Sequence, residues 1–266
     1  MIHYLKEFKH VFRDYGIIGL CYLAKTMLPD NEKYWQNPIL YVTGVEASGK
    51  TEFINSMLRL YTEAERDSAN FGNCKYESLR HIFREQNTNL KCLHIDDINK
   101  PLTLEWTEFI KSAYDSFYRK YLFISGHQDL SNDVTLYSRT IHIDLDNLYL
   151  HLPDNFDARE ALRAFLFIRN NADLRLFQFR PNHLHFLRST VKAEIMIQDL
   201  CPNAEDRLKS NYASLLAGYL YFADIMPFTE SEAVHALISN LSKQQIMLSN
   251  EKKEAFDIVK RNIADI

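Results

Sequence analysis

The sequence predicts an α/β protein, a parallel sheet flanked by helices, and three observations predict it. Residues 44–51, Gly44-Val45-Glu46-Ala47-Ser48-Gly49-Lys50-Thr51, fill every defining position of the phosphate-binding loop pattern G-x-x-x-x-G-K-[ST]. The loop is preceded by the short β-rich run Ile39-Leu40-Tyr41-Val42 and followed by an amphipathic stretch from Glu52 to Tyr61, so strand, loop and helix come in the required order. Further apolar runs that end in polar residues alternate with stretches of helical periodicity, the pattern of a parallel sheet with crossover helices.

The elements follow in order. Leu5, Phe8, Val11, Phe12 and Tyr15, then Ile17, Ile18, Leu20, Tyr22 and Leu23, predict two short helices within residues 1–35. Asn37-Pro38 marks entry into the first strand. The loop and its helix come next, then a short second strand near Asp67-Ser68-Ala69, a helix from Glu77 to about Gln86 and a turn at Asn87-Thr88-Asn89. Leu90 to Asp97 reads as a strand with two acids at its carboxyl end. Thr103 to Lys120 is a helix whose Trp106, Phe109, Ile110, Tyr114 and Phe117 form a core-facing stripe. Tyr121 to Ser125 is a buried strand with Gly126-His127-Gln128-Asp129 at its exit, and Tyr137 to Leu145 is a strand with Arg139 at its start. From Pro153 the chain reads as helical, through 158–170, 206–222, 230–247 and 252–263. The expected organisation is therefore an N-terminal helical segment (1–35), a P-loop NTPase core (36–152) and a C-terminal helical subdomain (153–266).

Each candidate site residue has a chemical reason. Amides of the loop from Gly44 to Thr51, with Glu52 starting the helix, point at phosphate oxygens where the helix dipole also favours negative charge. Lys50 reaches the β- and γ-phosphates, and the Thr51 hydroxyl takes a position on Mg²⁺. Ligands of open parallel sheets sit at the carboxyl ends of strands. Asp96 is therefore the expected Mg²⁺ holder, directly or through water, and Asp97 the residue that orients or deprotonates the attacking water. Either His127 or Gln128 can touch the γ-phosphate or that water, or simply close a turn. Arg139, planar and always charged, can stabilise a transferring phosphoryl group from a neighbouring subunit, or form a surface salt bridge. ATP and Mg²⁺ are the expected cofactors.

Composition bounds the rest. The 266 residues are 46% hydrophobic and 13% aromatic, enough for a sizeable core, and a formal charge of -4 supplies no global basic field for duplex binding. Cys21, Cys74, Cys92 and Cys201 have neither C-x-x-C nor zinc spacing and read as reduced thiols, which gives a cytoplasmic expectation. No apolar run of about 18 residues predicts a membrane span.

The ordered set Gly44–Thr51, Leu93–Asp97, Leu122–His127 and Leu136–Leu145 resembles the ATPase core of superfamily 3 and related AAA+-like helicases. Such cores occur in replication proteins of phages, plasmids and mobile islands, often beside a primase-polymerase region. The resemblance covers roughly residues 36–150 and implies a hexameric ring that hydrolyses ATP at subunit interfaces while gripping single-stranded DNA. It also implies that this chain is a domain of a longer protein acting in the host cytoplasm. The family's sensor Asn is replaced here by Gly126-His127, and its DNA-gripping hairpin by one helix after Ile98-Asn99-Lys100-Pro101. Lys100, Lys111, Arg119 and Lys120 are then the basic candidates for backbone contact. Two other functions use the same loop: a small-molecule or nucleotide kinase, and an NTP-dependent assembly switch on DNA. The switch is kept open by the short acid Asp97 where a Glu is more usual.

Overall fold

The computed structural model describes residues 2–28, 36–84, 89–115, 120–128, 130, 133–147, 157–170 and 182–264. Its elements run α1 (Ile2–Thr26), β1 (Ile39–Thr43), α2 (Lys50–Leu58), β2 (Arg66–Asn70), α3 (Tyr76–Arg84), β3 (Cys92–Ile98), α4 (Leu104–Tyr114), β4 (Tyr121–Gly126), α5 (Val134–Tyr137), β5 (Thr140–Asp144), α6 (Ala158–Asn170), α7 (His183–Leu200), α8 (Asp206–Tyr221) and α9 (Glu230–Ala264). The five strands form one all-parallel sheet in the order β2-β3-β4-β1-β5, so the chain is α/β. No described helix is long and apolar enough to cross a membrane.

The central strand explains the layering. In β1, side chains alternate between faces: Leu40 and Val42 join a core made with α1, α2 and α8, while Ile39 and Tyr41 join a second core with Trp106, Phe109 and Ile110 of α4. Because both faces are covered, β1 and most of β4 read as apolar runs, and β3 is apolar except for His94 until its two acids, whereas the edge strand β2 (Arg66-Asp67-Ser68-Ala69-Asn70) is polar and partly exposed.

Helix boundaries have local causes. Two N-terminal helices were expected, and α1 is broken at Arg13, where φ is 51° and ψ is -129°. Thr103 caps α4 by accepting from the Trp106 N–H. Asp133 caps α5 by accepting from Leu136 N–H at 2.9 Å, which pulls Tyr137 into a helix and delays the start of β5 from the expected Tyr137 to Thr140. Helix α7 has no counterpart among the expected elements. Its inner residues Phe186, Ala193 and Ile197 are buried, but Leu184, Val191, Ile195 and Leu200 are exposed and blur its amphipathic period. Two helices were expected across α9, yet it runs unbroken. That stretch holds no Gly or Pro, and Ser249 bonds back to the Gln245 carbonyl at 2.9 Å within the helix. The ends of the expected helices at 85–86 and 116–120, and the expected turn at 87–89, lie wholly or largely outside the described residues, as do Arg119, Asp129 and the boundary at Pro153.

The C-terminal helices are tied to the sheet along its edge strand β5. Gln244 of α9 donates to the carbonyls of Tyr137 (3.1 Å) and Thr140 (2.9 Å), and Asn240 donates to that of His142 (2.9 Å). These buried amides satisfy backbone acceptors at the open side of β5.

Candidate functional site

The 44–51 loop leaves the carboxyl end of β1 and turns into α2. The path needs unusual backbone: Gly44 has φ 148°, Ala47 φ 62° and Gly49 φ 91°. At Gly44 a side chain is disfavoured by the positive φ, and a Cβ would also crowd Ser48 Oγ and lie 3.2 Å from Asp146 Oδ1. Lys50, the first residue of α2, folds back so that Nζ donates to the carbonyls of Gly44 (2.6 Å) and Val45 (2.7 Å). Burial pulls the Lys50 ammonium below the ordinary lysine range, and the surrounding acids Asp146, Asp97, Asp96 and Glu46 oppose that shift. The loop is therefore a cation set among carboxylates.

Strand β3 brings its acids to the same place. Thr51 Oγ1 donates to Asp96 Oδ1 at 2.9 Å, so the two residues expected to hold a metal are neighbours. Asp97 has left-handed backbone (φ 63°) at an irregularity in the β3–β4 register between Ile95 and Ile98, and its carboxylate accepts from Asn99 at 3.2 Å. That break in alternation lets two successive acids face the carboxyl end of the sheet region.

At the exit of β4, the amides of His127 and Gln128 both donate to the Ile98 carbonyl, at 3.0 and 3.3 Å, locking the ends of β3 and β4 together. The exposed His127 side chain lines a cavity of about 300 Å³ with Thr43, Val45, His142, Asp144 and Asp146. His142 binds Thr43 Oγ1 through Nε2 (2.7 Å) and the Tyr137 hydroxyl through Nδ1 (2.8 Å).

Arg139 lies elsewhere. Its carbonyl accepts from Ile39 N–H at the amino end of β1, opposite the loop. One guanidinium nitrogen donates to the Thr135 carbonyl at 2.6 Å, another sits 3.7 Å from Asp115, and the group lies over the Tyr114 ring at 5.5 Å. Of the basic residues considered for DNA, Lys100 is exposed, Lys111 is paired with Asp133 at 3.1 Å, and Lys120 is buried.

Four residues at the site were not anticipated. Asp146 accepts from the Val45 amide and braces the loop. Ser125 donates to Asp96 Oδ1, and His94 contacts Ser125 Oγ at 2.8 Å through Nε2. His142 lies beneath the loop. The His94-x-Asp96 spacing, which puts both on one face of a strand, was the available signal for the pair.

No protein-family model matches the chain, and no curated protein matches it in sequence.

Proposed function

We propose that the chain binds a Mg²⁺-complexed nucleoside triphosphate, ATP, on loop 44–51 and hydrolyses it as a P-loop ATPase. The carrying observation is the meeting of Lys50, Thr51 and Asp96 at the carboxyl ends of β1 and β3, with Thr51 and Asp96 within 2.9 Å. These residue types fit magnesium, which is commonly held by one or two protein oxygens and completed by phosphate and water. When bound, the metal neutralises charge on the phosphate oxygens. Lys50 balances charge on the terminal phosphates, loop amides cradle them, Asp97 orients the attacking water and His127 approaches it from β4.

The ring reading rests on the motif order, with Arg139 as the candidate for the neighbour's loop although it pairs with Asp115 in its own chain. A strand of five residues spans about 16 Å at 3.3 Å per residue, too far for Arg139 to serve the loop of its own subunit. In a closed homo-oligomer it serves the neighbour's loop instead. With the motif order, this supports a hexameric helicase or translocase domain of a DNA replication protein acting on single-stranded DNA. The test is ATP hydrolysis by the purified chain with Mg²⁺ or EDTA and with or without single-stranded DNA, alongside particle mass. The expected outcome is Mg²⁺-dependent hydrolysis, stimulated by DNA, in particles six subunits in mass. Absence of both nucleotide binding and hydrolysis overturns the ATPase, and monomers in the presence of nucleotide overturn the ring.

A further inference from the structure

The Asp96 carboxylate is held asymmetrically. Oδ1 accepts from two hydroxyls, Thr51 Oγ1 at 2.9 Å and Ser125 Oγ, while Oδ2 accepts no hydrogen bond among the described residues. Asp96 keeps 29% of its side-chain surface exposed, so the carboxylate is not sealed from the site. Ser125 itself is fully buried at the end of β4, and behind it stands His94, only 1% exposed.

Proton accounting fixes the direction of this chain. An ionised carboxylate only accepts, so the single Ser125 proton goes to Asp96. The remaining contact, 2.8 Å between His94 Nε2 and Ser125 Oγ, then requires His94 to donate from Nε2. The serine hydroxyl cannot swing away from Asp96 without abandoning a buried donor, which costs on the order of 1–3 kcal/mol. Burial of an imidazole to steer one hydroxyl has no evident packing purpose, because a leucine would fill the same core. The sequence places His94 and Asp96 on one face of β3, facing Ser125 across the β3–β4 pairing in which His94 is level with Phe123.

Resting on the ATPase reading, we infer that Ser125, braced by His94, is a positioning residue that clamps Asp96 Oδ1 and presents Oδ2 to the metal. Thr51 fits the same arrangement, since a hydroxyl can donate its proton to Asp96 and still offer lone pairs to a cation. Partners of this kind behind a metal ligand commonly account for 10–100-fold in metal affinity.

The experiment reads nucleotide binding rather than turnover. A fluorescent ATP analogue is titrated into wild type, Ser125→Ala, His94→Leu and His94→Gln in EDTA and over a Mg²⁺ series, with thermal unfolding followed in parallel. Ser125→Ala and His94→Leu are expected to raise the Mg²⁺ concentration for half-maximal tightening by about tenfold or more. Their affinity in EDTA should stay at the wild-type value. His94→Gln, which retains an N–H donor, should remain within about threefold of wild type. The leucine variant leaves Ser125 and the loop intact, so it decides the matter even where Ser125→Ala does not fold. A wild-type Mg²⁺ dependence in folded Ser125→Ala or His94→Leu overturns the clamp, as does an equal loss in EDTA. Failure of wild type to bind the analogue in any condition overturns the ATPase reading instead.

Discussion

On the ATPase reading, replacing Lys50 with Ala should separate nucleotide recognition from fold stability. In the folded chain the ammonium is buried and pulled below its ordinary range, a penalty that its acid neighbours oppose. Its two hydrogen bonds go to loop carbonyls of Gly44 and Val45 that water can satisfy once the side chain is gone. Loss of the side chain thus removes a desolvation cost along with the bonds, and the melting temperature should move by only a few degrees, as for a change near 1 kcal/mol. Nucleotide affinity behaves differently. One unit charge about 4 Å from a phosphate oxygen at an effective dielectric near 20 contributes about 4 kcal/mol, close to a thousandfold in affinity. Without Lys50, Glu46, Asp96, Asp97 and Asp146 face the ligand with no counter-charge from that side chain. A fluorescent ATP analogue titrated in Mg²⁺ should bind on the order of 10²- to 10³-fold more weakly to Lys50→Ala, with the far-UV spectrum unchanged. Binding within threefold of wild type would show that the loop does not hold the terminal phosphates.

Asp97→Asn should keep ATP binding while losing hydrolysis by on the order of a hundredfold, as expected for a positioned base; parallel loss of binding sinks that role, and Asp96→Asn is the comparison that should lose the Mg²⁺ dependence. Mixing Arg139→Ala with Lys50→Ala, each inactive alone, should restore hydrolysis through interfaces that combine an intact loop with an intact arginine; no recovery after demonstrated subunit exchange, or normal hydrolysis by Arg139→Ala, removes Arg139 from the reaction. Burial pulls the His94 imidazole down to about 4, so the unfolded chain binds its proton first as pH falls. Stability should accordingly be full above about pH 6.5 and decline below it, at a slope of up to about 1.4 kcal/mol for each pH step of one, and His94→Gln should flatten that decline in urea titrations at pH 5 and pH 7.5.

How much was legible varies with the kind of constraint. The strand and helix that flank residues 44–51 were readable because the G-x-x-x-x-G-K-T pattern marks the turn between them, and because β1 is buried on both faces and shows as an uninterrupted apolar run. Asp96 and Asp97 were readable as a strand end, and the sheet brings Asp96 to Thr51. Ser125, Asp146 and His142 were not, because Ser125 and His142 act through a neighbour on another strand and Asp146 through the loop that follows β1, adjacencies set by the order β2-β3-β4-β1-β5. A serine at the end of an apolar run looks like any strand exit until Asp96 is beside it. Helix α7 escaped for a different reason: its outward face carries leucine, valine and isoleucine where polar residues would be expected, so no single apolar stripe stands out.

The electrostatics of the loop and the position of Arg139 constrain the mechanism together. The charged groups that act most strongly on Lys50 among the described residues are the acids Asp146, Asp97, Asp96 and Glu46, so the local field at the loop disfavours a bare triphosphate. On the ATPase reading, a metal arriving with the nucleotide removes two negative charges and gives Asp96 a partner of opposite sign, which tightens binding. Lys50 is one positive charge against the negative charge of the terminal phosphates, and the next strong cation in the motif order, Arg139, is held at the far end of the sheet by Thr135 and Asp115. Its Nε is buried without a hydrogen-bond partner among the described residues, so its present seat satisfies the guanidinium incompletely. On the ATPase reading, a single subunit is left short of positive charge where charge develops, and a second subunit's arginine is the complement that the motif order offers. Dilution should therefore lower the specific activity of the wild type, while its affinity for nucleotide, set by Lys50 and the metal within one chain, should hold.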